Sequence, residues 1–133
     1  MGMNLLLVDD EVFAVEAMKN CVDGEKMKVD TVYTAYNAQS ARQIIMEKQI
    51  DVIICDISMP GESGLELLKW VEEHDRRIVK LILTCHKKFD YAAQAISCGV
   101  IEYLLKPFDE EVLAKAMERA RWELAKKGQK GSF

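Results

Sequence analysis

The sequence predicts an α/β fold, a doubly wound parallel sheet of five strands covered by helices on both faces. Short continuous apolar runs recur along the chain, at Leu5-Leu6-Leu7-Val8, Val52-Ile53-Ile54-Cys55 and Leu81-Ile82-Leu83. Continuous runs suit strands buried on both faces, as in parallel sheets. Helical patterns fill the intervals, so strand and helix alternate five times, (βα)5. The length of 133 residues, half of them apolar, suits one domain with a single core.

The first strand, residues 5–8, ends in Asp9-Asp10. A helix follows on Val12, Val15, Ala17, Met18, Cys21 and Val22. Residues 29–35 form a second, more alternating strand, expected nearer an edge. Asn37 is placed to cap a helix carrying Ala38, Ala41, Ile44 and Ile45. The third strand, 52–55, delivers Asp56 and breaks into Met59-Pro60-Gly61. Ser63-Gly64-Leu65-Glu66 has the form of a capping box, with Leu65, Leu68 and Val71 at helical spacing. The fourth strand, 81–83, leads to Thr84. Residues 91–98 form a short alanine-rich helix that Gly99 is placed to end. The fifth strand, 102–105, runs into Lys106-Pro107. Asp109 caps the last helix, with Glu110 and Glu111 at its positive end and Lys126 and Lys127 at its negative end. The domain is expected to span residues 4–127, with 1–3 and 128–133 as flexible ends. Met1-Gly2-Met3 reads as an added start ahead of a native one at Met3.

The net charge of −4 argues against nucleic-acid binding as this domain's own task, because phosphate contacts require basic surface. No apolar run approaches the ~18 residues a membrane span needs, and the first residues do not read as a signal peptide. The four cysteines lack any C-x-x-C spacing; Cys21, Cys55 and Cys98 read as small buried hydrophobes in a reduced, cytoplasmic setting.

In a parallel sheet the carboxyl ends of the strands share one rim, where ligands bind. That rim would gather Asp9, Asp10, Asp56, Thr84 and Lys106. Three carboxylates together repel one another, and a hard cation such as Mg²⁺ would relieve the repulsion. Lys106 offers a point charge for a phosphate, Thr84 a hydroxyl donor. A carboxylate can itself be the nucleophile in phosphoryl transfer, and Asp56 is the best placed. Gly61 and Gly64 let the following loop bend close to a ligand. Each residue alone has an ordinary reading: Asp9-Asp10 as an N-cap, Asp56 as a turn former, Thr84 as a strand residue, Lys106 as a strand-end lysine reaching solvent, Cys85-His86 as an incomplete metal pair, His74 as surface. Their joint occurrence at the same end of successive strands favours a site.

With these residues in view the chain resembles the receiver domains of two-component response regulators. The acidic pair Asp9-Asp10, Asp56 with Met59-Pro60-Gly61, Thr84, and Lys106-Pro107 carry the resemblance, which runs from Asn4 to Lys127. It implies a flavodoxin-like strand order 2-1-3-4-5. Asp56 would accept a phosphoryl group from a sensor histidine kinase or phosphotransfer protein. Asp10, Asp9 through water, Asp56 and the carbonyl of Ser58 would hold Mg²⁺. Lys106, typically followed by a cis proline bond in the family, would pair with the phosphoryl group. Thr84 and Tyr103 would form the switch, altering a face made of the fourth helix, fifth strand and fifth helix, often toward a homodimer. Such a domain signals rather than turns over substrate. Cys85 stands where the family usually has a smaller residue, and Ser58 and His86 occupy positions that tune phosphoryl lifetime. Phe89-Asp90-Tyr91-Ala92 with the stretch 103–108 is similar to regulators bearing an AraC-type DNA-binding domain. Three rivals remain: a receiver-like module that no longer takes phosphate; an aspartate-nucleophile phosphatase of the haloacid dehalogenase type, against which Ser58 counts because that class wants a second Asp there; and a nucleotide-binding module, which lacks both glycine-rich phosphate motifs.

Overall fold

The computed structural model describes residues 2–84, 98–106 and 108–131. Its strands are β1 (Met3–Val8), β2 (Val29–Ala35), β3 (Val52–Asp56), β4 (Val79–Thr84) and β5 (Val100–Leu105). They are parallel and lie in the order β2-β1-β3-β4-β5. The helices are α1 (Val12–Cys21), the single turn α2 (Gly24–Met27), α3 (Ala38–Glu47), α4 (Gly64–His74) and α5 (Glu110–Gly131).

The continuous apolar runs follow from this arrangement. Alternate residues of β1, β3 and β4 face opposite layers. Leu5, Leu7, Ile54, Leu81 and Leu83 pack with Val15 and Met18 of α1 and Leu113 and Met117 of α5. Leu6, Val8, Ile53, Cys55 and Ile82 pack with Ala41 and Ile45 of α3 and Leu67, Leu68 and Val71 of α4. Both parities must therefore be apolar, at about 1.5–3 kcal/mol for each side chain fully buried. β2 lies at the edge, which explains its alternating pattern.

The caps form as the sequence implies. Asn37 accepts the Ser40 N–H at 2.8 Å, Ser63 the Glu66 N–H at 3.3 Å and Asp109 the Val112 N–H at 3.0 Å. Four features differ from expectation. β1 begins at Met3, which is buried, and the Met3 N–H donates to the Lys28 carbonyl at 2.7 Å, so this residue is not a free end. α5 continues through Gly131, and Lys127 donates to the Arg76 carbonyl at 2.6 Å, tying the helix down beyond the sheet. α2 was not foreseen. Asp23 caps it and Lys28 closes it with a left-handed φ of 60°, but four residues with one buried Met27 carry no periodicity to detect. β4 starts two residues early and takes a lysine, Lys80, fully into the interior. The helix expected at 91–98 lies outside the described residues, apart from Cys98. No described helix is long and apolar enough to cross a membrane.

Candidate functional site

Parallel pairing brings the strand ends together. β1 and β3 are neighbours with Val8 opposite Cys55, which places Asp9 level with Asp56. On the other side Asp56 is paired with Leu83, and Thr84 with Leu105 of β5. Thr84 thus closes the strand between Asp56 and the residue that follows β5, Lys106. The Thr84 carbonyl accepts the Lys106 N–H at 2.8 Å.

Asp9 has no solvent exposure and Asp56 only 6 %. Asp10, at the mouth, is exposed. One carboxylate oxygen from each of the three lies within 4.8 Å of the others. Lys106 bridges the buried pair, its Nζ donating to Asp9 Oδ2 at 2.6 Å and to Asp56 Oδ2 at 3.0 Å. The remaining oxygens are held by backbone: Asp9 Oδ1 accepts the Glu11 N–H and Asp56 Oδ1 the Ser58 N–H, both at 3.0 Å. The ordinary N-cap reading of Asp9-Asp10 does not hold, because Glu11 occupies the cap position of α1. The solvent-reaching reading of Lys106 also fails.

Burial raises the pKa of Asp56; the Ser58 N–H and Lys106 pull it back, and the Asp9 charge adds to the rise. Burial alone would lower Lys106, but its hydrogen bonds to Asp9 and Asp56 outweigh this and the net direction is upward. Lys106 therefore stays an ammonium at neutral pH. The neighbouring Cys55 thiol is pushed far up by burial and then by Asp56, so it is an inert wall. Three converging carboxylates against one ammonium leave net negative charge and hard oxygen donors. That donor set fits a Mg²⁺-like cation.

The loop after Asp56 is shaped by two glycines with different tasks. Gly61 has φ +82° and makes the turn. Gly64, expected to serve the same flexibility, instead permits close packing: a Cβ there would overlap the Asp56 carbonyl oxygen and come within 2.9 Å of Ile57 Cα. The start of α4 is thereby pressed against the strand end. Arg42 of α3, which sequence reasoning missed, ion-pairs with Glu62 of this loop and lies over the Trp70 ring at 5.6 Å. No local motif announces a contact across 20 residues. Ser58 is exposed. Tyr103 on β5 is 42 % exposed. His74 is on the surface as expected, stacked on Trp70 at 4.8 Å. Cys85, His86 and Pro107 lie outside the described residues.

A five-stranded 2-1-3-4-5 parallel sheet with an acidic cluster and a lysine at its carboxyl rim is the architecture of a receiver-type signalling domain. Residues 5–118 match the family described as the response regulator receiver domain, and the chain belongs to that family. Among proteins it resembles is the uncharacterized transcriptional regulatory protein YesN of Bacillus subtilis, 33 % identical over 90 % of this chain and 33 % of that protein. MalR of the same organism is 31 % identical over 90 % of this chain and 50 % of that protein. The chain thus spans a third to a half of these relatives. In structure it is similar to the REC domain of AraT, a response regulator from Geobacillus stearothermophilus (28 % identity, 96 % of this chain and 99 % of that one, TM-score 0.87). The chemotaxis protein CheY4 of Vibrio cholerae is also similar (25 % identity, 90 % and 99 % covered, TM-score 0.81). Receiver domains are signalling modules of two-component systems rather than classical enzymes.

Proposed function

We propose that the chain receives a phosphoryl group on Asp56 and uses it to switch a protein–protein contact. The observation that carries this is the meeting of the Asp9, Asp10 and Asp56 oxygens within 4.8 Å, with Lys106 bridging two of them. Asp56 sits at the end of a rigid buried strand, so its carboxylate is preorganised as a nucleophile. Asp9, Asp10, Asp56 and the Ser58 carbonyl would hold Mg²⁺. The ion would supply charge neutralisation for the incoming phosphoryl oxygens. Lys106 would move its hydrogen bond from the Asp56 carboxylate to the phosphoryl group, and Thr84 would donate its hydroxyl to the same oxygens. The donor would be a phosphohistidine on a sensor kinase or phosphotransfer protein in the cytoplasm, and the domain would assist its own phosphorylation and dephosphorylation.

The half-exposed Tyr103 would turn inward behind Thr84, changing the face around β5 and α5 so that a second copy docks. Because relatives such as YesN and MalR are transcriptional regulatory proteins, the output of the whole protein would be transcription, through an AraC-type domain on the likeness of residues 89–92 and 103–108. Intact-mass measurement after incubation with acetyl phosphate and Mg²⁺, repeated with a histidine kinase, tests the acceptor. A phosphoryl adduct on the native chain and none on Asp56→Asn is expected. An adduct on both, or on neither, refutes the reading. Tyr103→Ala should keep the adduct and lose any phosphorylation-dependent dimer by light scattering; an unchanged dimer removes the switch role.

A further inference from the structure

Lys80 has no solvent exposure and heads the largest fully buried side chains among the described residues. Its Nζ donates to the Ile78 carbonyl at 2.8 Å and pairs with Glu72 Oε1 of α4 at 2.8 Å. Lysine is almost never fully buried unless paired, and an apolar residue could fill the place at less cost in desolvation. What the pair holds is the start of β5. The Glu72 carboxylate lies against Gly99: a Cβ there would stand 2.9 Å from Oε1. Gly99 has φ +77°, so the chain turns into β5 at this contact. At the same level the β4–β5 register shifts, with Lys80 opposite Val100 but Leu81 opposite Glu102. Ile101 is therefore an extra residue, a bulge beside Lys80.

The bulge sets the phase of everything that follows on β5. With it, Tyr103 is paired with Ile82 and Leu105 with Thr84. Without it, Tyr103 would sit opposite Leu83, turned to the other face of the sheet, and Lys106 would reach the rim one residue late, because side chains alternate with period two. We propose that Glu72 and Lys80 are positioning residues for the phosphoacceptor site: the pair, buried Lys80 with the partly exposed Glu72, pins the Gly99 turn and the Ile101 bulge, and so delivers Tyr103 and Lys106 in their working register. This rests on the phosphoacceptor reading of Asp56. It assigns a task at the amino end of β4 to residues remote from the reacting carboxylate.

The test replaces the pair by apolar groups, Glu72→Leu with Lys80→Met, and in parallel introduces Glu72→Gln, which keeps the side-chain shape beside Gly99 but removes the charge that pairs with Lys80. Three quantities are read. Mg²⁺ affinity depends on carboxylates at the ends of β1 and β3 and should stay within about twofold. The rate of Asp56 adduct formation depends on Lys106 and should fall by about tenfold or more. Backbone amide resonances of residues 103–106, distant from the substituted positions, should move while those of 5–9 and 55–56 stay; residues 53 and 100, paired with Lys80, respond to any substitution there. A merely structural pair would change the melting temperature and leave the rate-to-affinity ratio alone. Unchanged rates and unchanged 103–106 resonances overturn the proposal. If the double variant does not fold, Glu72→Gln decides on the same readings. If the native chain itself forms no adduct, the phosphoacceptor reading has failed and the resonances of 103–106 alone decide whether the pair positions β5.

Discussion

Lys106→Met removes the single ammonium that Asp9 and Asp56 share, while keeping the length of the side chain. At 2.6 and 3.0 Å the two contacts correspond to about 5–6 kcal/mol of gross attraction each at an effective dielectric of about 20. Returning the ammonium to water offsets most of that. Breaking one side of a buried pair costs about 3–5 kcal/mol net, whereas an exposed pair is worth less than about 1 kcal/mol. The Lys106 side chain is 21 % exposed and its partners 0 and 9 %, which places the loss near the lower bound, about 3 kcal/mol at neutral pH. For a chain of this size that lowers the melting temperature by about 10 °C. The deficit should shrink on acidification. Asp56 is already raised by burial and opposed by the Ser58 N–H and Lys106. Without Lys106 its pKa rises further, and protonation then relieves the repulsion with Asp9. Mg²⁺ should also restore stability, and bind the variant more tightly than the native chain, since no ammonium competes for the carboxylates. Thermal unfolding of both proteins across the acid-to-neutral range, with and without Mg²⁺, measures all three effects. A variant melting within about 2 °C of the native protein at neutral pH would show that Lys106 does not neutralise the cluster.

Other outcomes follow from the same geometry. Gly64→Ala places a methyl on the Asp56 carbonyl and should cost about 3 kcal/mol or more; a denaturant midpoint equal to the native one would contradict the close approach of α4. Ser63→Ala removes the Glu66 N–H acceptor and should cost about 1 kcal/mol, read from the same curves. For Asp56 itself the sign runs opposite for function and for stability. Its folded pKa lies above the unfolded value, chiefly through burial, so its contribution to stability is present at low pH and is lost as pH rises through the folded pKa. The native-minus-Asp56→Asn stability difference should therefore grow on acidification, while the phosphorylation proposed for Asp56, which needs the carboxylate, slows. A pH-independent difference would refute the buried-carboxylate account. Of the described cysteines, half-buried Cys21 should be alkylated in the native state, while Cys55 and Cys98 are protected; modification of Cys55 without unfolding, seen by peptide mapping, would contradict its burial.

The alternation of apolar runs and helical stripes was sufficient to read the fold, because a strand buried on both faces cannot hide its composition and a cap such as Asn37 or Ser63 acts within three residues. The same locality made the candidate residues legible: in a parallel sheet, the residue ending each run must lie on one rim, so Asp9, Asp56, Thr84 and Lys106 could be named before any contact was known. What needed tertiary structure is everything set by register and by partners distant in sequence. That Lys106 spans Asp9 and Asp56 depends on a pairing 97 residues apart. That Gly64 serves packing rather than turning depends on the carbonyl it meets. Lys80 lies just outside the apolar run read as the fourth strand, and only the tertiary structure takes it inside, where it meets Glu72 of α4. Composition reports which side chains want to leave water, whereas which of them meet is decided by the order and offset of strands, and a one-residue offset reverses every face.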